Sequence, residues 1–223
     1  MKFKHALLLT FLILLVDQAL KIYIKTCYYM GQENVLLQAI PWLRFHFIEN
    51  EGMAYGWKLG GEWGKIALTS FRLIAVGFGT HYILGIIRKK YHAGYIVCVT
   101  FIYAGAIGNL IDSLFYGLVF EASDPYLQNL AHGIWQNGFQ GGYAGFLHGK
   151  VVDMLYMPII EDAYFPDWFP IWGGESFMFF RPVFNIADAA ISGGVFAILI
   201  FQNKFFPSAA PVKEQEETEA PTA

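Results

Sequence analysis

The sequence predicts an all-α membrane protein, a bundle of four transmembrane helices with a small extracytoplasmic β element. Three observations carry that expectation. Hydrophobic residues make up 56% of the 223 and charged residues only 15%, where a soluble domain is nearer a quarter charged. Four windows, about 6–24, 66–87, 95–111 and 183–201, are long and apolar enough to cross a bilayer. Between the first two, "WLRFHFIENEGMAYGW" alternates Leu43, Phe45 and Phe47 with Arg44 and His46, which is the period of a strand.

The first window, "MKFKHALLLTFLILLV", has the basic start and short apolar core of a signal peptide. No small-x-small cleavage site comes after it, and the run continues through Asp17 and Lys21 to "KIYIK", so a retained span is expected. The alternating stretch ends in a turn at "NEG", and Gly56, Gly60 and Gly61 punctuate the chain beyond that turn. An external β element is therefore expected over about 30–62, with Trp42, Trp57 and Trp63 at headgroup level; an irregular aromatic loop is the competing reading. Spans two and three are joined by a tight "RKK" at 88–90. With Lys2 and Lys4 before the first span and Lys204 after the last, this loop places both termini in the cytoplasm. Lys25, Arg44, Lys58 and Lys65 fall in the opposite loop, but short loops weigh most in that rule.

An expanded external region of about 120–182 precedes the fourth span. Residues 121–149 are rich in Gly, Gln, Asn and aromatics, and 156–182 carry Pro158, Pro166, Pro170 and Pro182. Residues 1–204 are expected to form one membrane-embedded domain. The remainder, 205–223, contains the acidic "PVKEQEETEAPTA" and is expected to be a disordered cytoplasmic tail. Net charge is −3, and no basic stripe suits a nucleic acid. Cys27 and Cys98 lie in or near different spans and pattern as neither a disulfide nor a metal pair. There is no HExxH, GxSxG, Cys/His cluster or Gly-rich phosphate loop, so neither metal nor organic cofactor is expected. The histidines are scattered, and His81 reads as structural.

What remains is a set of polar residues in three spans, all toward the outward end. Asp17 and Lys21 are four apart and share a helical face, with Asp17 ~12 Å below Lys25 at the helical rise. Gly105, Asn109 and Asp112 form one stripe in span three. Asn185, Asp188 and Ser192 line one face at the start of span four, and Asp153 sits in the short apolar segment "GKVVDMLYMP". Each has a plain structural reading: Asp188 as a helix cap or dipole partner, Asp17–Lys21 as an ion pair, Asn109 and Asp112 as partners for nearby backbone. Together they are harder to dismiss, since one acid near mid-membrane costs roughly 2.5–3.5 kcal/mol. If the fold joins Asp153 and Asp188 beside apolar residues, they share a proton. Such a pair can activate water on one carboxylate and protonate a carbonyl oxygen from the other.

At these residues the sequence resembles the bacterial lipoprotein signal peptidases (signal peptidase II), four-span aspartic proteases. "VDQALK" (16–21), "NEGMAYG" (50–56), "GNLID" (108–112), "VVDMLY" (151–156) and "FNIADAAI" (184–191) match the family's motifs in order. The resemblance implies Asp153 and Asp188 as the catalytic pair. Asn50, Gly52, Asn109, Asp112 and Asn185 would support them or bind substrate, and Asp17 and Lys21 would brace the first helix. The implied substrate is a prolipoprotein, cut just before a cysteine bearing diacylglycerol, at the outer face of the bacterial inner membrane. Two departures stand out. Ser113 occupies the place where the family usually has Arg, and the link from "GNLID" to "VVD" is about thirty residues longer than usual. Lys150 and Arg181, close in sequence to the acids, are candidates to fold over the site in compensation, Arg181 the better because its donors are forked. The competing reading is a non-enzymatic transporter or proton relay, which would spread acids along a path through the membrane. The cytoplasmic half of every span lacks Asp and Glu. A further reading, an assembly subunit without activity, stays open.

Overall fold

The first apolar run forms α1, Phe3–Cys27, in the computed structural model, which describes residues 1–51, 61–136, 138 and 140–206. Its amphipathicity is inverted: Thr10, Asp17, Lys21 and Lys25 are buried while Leu7, Leu8, Phe11 and Leu15 are exposed. A helix in lipid does this because hydrocarbon offers polar groups no partner, so they turn toward the other helices. The second run forms α2, Gly61–Arg88, which turns Phe71, Leu73, Ile74 and Phe78 outward in the same way. The third forms α3, Ala93–Ile111.

Hydropathy ends the third span at 111, where the polar residues begin. The chain instead stays helical through a π-turn, Asp112–Tyr116, into a last short helical piece, α4, Gly117–Val119. Asp112 is fully buried there, so its polarity marks an internal partner and not a surface. At the fourth span the difference runs the other way. Val183–Phe184 are a strand, β6, and helix α5 begins only at Ile186 and runs to Phe205. Asn185 sets that boundary by capping the helix. Among the described residues, four helices are long and apolar enough to cross a membrane.

Small residues let α3 and α5 pack closely. A Cβ on Gly105 would stand 2.2 Å from the Ala187 carbonyl oxygen, and one on Gly194 would stand 2.7 Å from that of Cys98. With no water to expel between helices in lipid, this close van der Waals approach is a main source of association.

The alternating stretch is a strand, β2, Ile40–Asn50, paired antiparallel with β1, Glu33–Leu37. The segment around Asp153 is also a strand, β3, Val151–Tyr156, and the sheet runs β1-β2-β3-β6. It seats on one end of the bundle through a core of Ile24, Tyr28, Phe47, Tyr116, Phe120, Val152 and Met154. Trp42 and Trp63 are exposed; Trp57 and most of the "NEGMAYG" turn, Gly52 included, lie outside the described residues, as does the tail from 207.

The expanded region has two parts. Residues 121–149 fold back on the π-turn, with Ala144 N donating to Gly117 O at 2.9 Å and Gly149 N to Ser113 O at 3.0 Å. They cover the buried Lys25–Glu49 ion pair with Ser123 and the Tyr143 ring. Strands β4, Ile160–Tyr164, and β5, Ser176–Phe179, form a separate hairpin whose connecting loop clusters Phe165, Phe169 and Trp172, with Phe177 of β5 packed on Phe165. Arg44 grips its Glu161 with both terminal nitrogens, at 3.0 and 2.5 Å.

Candidate active site

Main-chain pairing in the sheet brings together residues far apart in sequence. β2 ends on Asn50, and β3 pairs with it in the register Ile48↔Asp153 and Asn50↔Val151. β6 pairs with β3 at Leu155↔Phe184, and the next residue is Asn185. The Asn185 side-chain amide therefore reaches Asp153, donating to Oδ1 at 2.7 Å, while Asn50 Nδ2 lies 3.4 Å from Oδ2.

Asp188 stands one turn into α5. Its backbone N–H donates to Asn185 Oδ1 at 2.9 Å, and the Asn185 N–H reaches back to Asp188 Oδ2 at 3.4 Å. This reciprocal pair is a capping box. The plain reading of Asp188 as a capping residue is thus correct for one oxygen. Its other oxygen, Oδ1, accepts from Asn109 Nδ2 at 2.7 Å. One carboxylate both starts the helix and faces the site.

Behind these residues Lys21 uses all three ammonium donors. They go to Asp17 at 2.9 Å, Asp112 at 2.8 Å and Asn109 Oδ1 at 3.0 Å. Gln18 bridges the same two acids, donating to Asp17 Oδ2 at 3.1 Å and Asp112 Oδ1 at 2.9 Å, and accepts from the Tyr116 hydroxyl at 3.2 Å. Asp17 Oδ1 accepts from the Ala187 N–H at 2.9 Å, which ties α1 to the start of α5. The network also fixes the Asn109 amide. Its oxygen accepts from Lys21 at 3.0 Å and from Asn185 at 3.1 Å, leaving its NH2 to donate to Asp188.

The site opens as a cleft of about 460 Å³ lined by Asn50, Arg72, Asn109, Asp153, Asp188 and Ser192, with Phe180, Pro182, Val183 and Phe184 forming an apolar wall. Burial and then the neighbouring Asp188 carboxylate push the Asp153 carboxyl up to about 7, against the pull of Lys21 and of its asparagine donors.

Of the sequence-predicted residues, Asp153, Asp188, Asn50 and Asn109 line the cleft. Asn185, Asp17, Lys21 and Asp112 hold it from behind. Gly52 lies outside the described residues. Arg181 is exposed and is not part of the lining, although its neighbours Phe180 and Pro182 are. Lys150 turns to Glu49, at 3.7 Å, and to the Tyr143 ring. The cation among the described lining residues is Arg72, from α2, whose Nη1 donates to Ser113 Oγ at 2.9 Å. Neither Arg72 nor Gln18 is singled out from the sequence, although Gln18 lies inside the matched "VDQALK". The available signal for Arg72 was an arginine inside an apolar span, which is costly unless it has a task.

Fold and cleft together define a helical membrane protein with paired carboxylates opening at one end of its bundle. Residues 9–204 match the family model described as Signal peptidase (SPase) II. The chain belongs to that family and is a multi-pass membrane peptidase. It is 45% identical over 190 residues to the lipoprotein signal peptidase of Porphyromonas gingivalis, covering 85% of this chain and 78% of that protein. It is 31% identical over 209 residues to the lipoprotein signal peptidase of Amoebophilus asiaticus, covering 93% and 80%. A solved structure described as a bacterial membrane enzyme aligns with a TM-score of 0.54 and 22% identity over 96% of this chain and 94% of its own. That likeness is one of fold.

Proposed function

We propose that the chain is an aspartic endopeptidase that removes the signal peptide from diacylglyceryl-modified prolipoproteins, cutting before the lipidated cysteine. The observation that carries this is the pair Asp153 and Asp188 lining one cleft, each hydrogen-bonded by an asparagine. Asp188, an acceptor at both oxygens, takes a proton from water as the water attacks the scissile carbonyl. Asp153, the carboxyl raised to about 7, gives its proton to the carbonyl oxygen. The tetrahedral gem-diol then collapses as Asp188 passes its proton to the amide nitrogen and Asp153 takes one back from a gem-diol hydroxyl, and no acyl-enzyme forms. Asn50, Asn109 and Asn185 orient the pair, and the Asp17–Lys21–Asp112 cluster holds Asn109.

Residues 1–204 form one catalytic domain in the bacterial inner membrane, with both termini cytoplasmic and the cleft near the outer face. The short basic 88–90 loop supports that orientation. The intramembrane acids Asp17, Asp112 and Asp188 gather at one end of the bundle, where a relay would need them strung along a path. An acid at the rim meets water while the lipid of the substrate stays in the bilayer. The test is purified protein with one prolipoprotein, with and without its diacylglyceryl group. Acyl chains contribute ~0.8 kcal/mol per buried methylene, so the unmodified form is expected to be cut far more slowly. Equal rates would sink the assignment of substrate class.

A further inference from the structure

We infer that Arg72 is a substrate-binding residue of this site, its guanidinium holding the substrate backbone beside the acids; this rests on the peptidase reading above. Three observations point there. First, Arg72 rises from α2, within the run that spans the membrane, yet lines the same cleft as Asp153, Asp188 and Asn109. A cation at that depth is expensive and persists where it has an electrostatic task. Second, it is fixed from one side, with Nη1 2.9 Å from Ser113 Oγ, and the Ser113 hydroxyl is itself held by the Asn109 carbonyl at 3.0 Å. A planar guanidinium anchored at Ser113 is held in a defined orientation beside the acids. Third, its strongest charge partners are the carboxylates of Asp188, Asp112 and Asp153, so it sits within the field of the catalytic pair.

The chemistry of the cleft gives this group its role. Peptide hydrolysis needs acids for the water and the carbonyl, and it also needs donors for the carbonyl oxygens of the chain being cut. Among the described lining residues Arg72 is the one cation, and it stays charged at any working pH. Ser113, where the resemblance leads one to expect arginine, is fully buried and serves as the anchor for a guanidinium supplied from another helix. The guanidinium in the site comes from α2, and Ser113 of the π-turn holds it.

The test compares kcat/KM of wild type, Arg72→Gln and Arg72→Ala on the diacylglyceryl prolipoprotein, with a melting curve for each. Gln keeps a donor for Ser113 but loses the charge and the fork, and it should lower kcat/KM by about tenfold or more, as for a lost charge-assisted hydrogen bond, with Tm unchanged. In Arg72→Ala, added ethylguanidinium should restore part of the rate with saturation, and an alkylammonium ion of equal charge should restore less. Turnover of either variant within twofold of wild type overturns the inference. So does a rate loss that ethylguanidinium leaves untouched and that tracks a fall in folded protein, because that is the signature of a merely structural arginine. Wild type is the control for the underlying reading: if it fails to cut the lipidated substrate, the peptidase assignment fails, whatever the variants do.

Discussion

Replacing Lys21 with Met should cost this protein more stability than any other single change in its first helix. Lys21, Asp17 and Asp112 are all fully buried, and one ammonium pairs with both acids at 2.9 and 2.8 Å while holding Asn109 Oδ1 at 3.0 Å. Met nearly fills the volume of the lysine stem, so the loss reports charge and not a cavity. Removing one partner of a buried ion pair costs roughly 3–5 kcal/mol because an uncompensated charge stays behind. Here two charges stay behind, which favours the top of that range. At about 2–4 °C per kcal/mol for a chain of this size, Tm should fall on the order of 10–20 °C. The assay is tryptophan fluorescence during heating in detergent. Lys21→Met combined with Asp112→Asn should recover part of the drop, because only one buried carboxylate is then left without its cation. A Lys21→Met protein melting within about 2 °C of wild type would refute the reasoning.

The pH profile should carry the mark of Asp153. Its carboxyl is raised to about 7, and the proposed mechanism uses its protonated form, so kcat/KM should fall as pH rises through that value; a rate flat to pH 9 would contradict the role. Asn185 donates to the charged form and so pulls that pKa down. Asn185→Ala should therefore move the falling limb to higher pH, read from the same profile at whatever rate remains. Gly105→Ala sets a methyl 2.2 Å from the Ala187 carbonyl oxygen and 2.7 Å from Ile191 Cγ1, forcing α5 away from α3. Overpacking of this kind costs about 1–3 kcal/mol, and Tm should drop accordingly, whereas Gly193→Ala, with nothing within 4 Å, should melt like wild type.

The spans were legible because hydrophobic length is a direct physical requirement of the bilayer. Their ends were less so. Asp112 and Asn185 are polar, and hydropathy gives no way to tell a polar residue that prolongs a helix by π-turn from one that caps its start. Strand periodicity correctly located β2, but its far partner β3, and β6 beyond it in the sheet, come from beyond the third span, and long-range pairing leaves no local trace. The ion pair Asp17–Lys21 was readable from four-residue spacing. Its third member, Asp112, was not, since it reaches Lys21 only through helix packing. Arg181 was favoured by nearness in chain order, yet the guanidinium in the cleft comes from Arg72, more than a hundred residues earlier in the sequence. Proximity along a chain is a poor guide wherever a bundle assembles one site from several helices.

The most direct test of the catalytic pair is cleavage of a purified diacylglyceryl prolipoprotein by wild type, Asp153→Asn and Asp188→Asn, with the product N-terminus mapped. An amide can neither take a proton from water nor share one with a partner acid. Wild type should release a product beginning at the lipidated cysteine, and both variants should be inactive while melting as folded membrane proteins. Near-normal turnover by either folded variant, or a wild-type cut elsewhere in the chain, would contradict the claim that these two carboxylates perform the reaction.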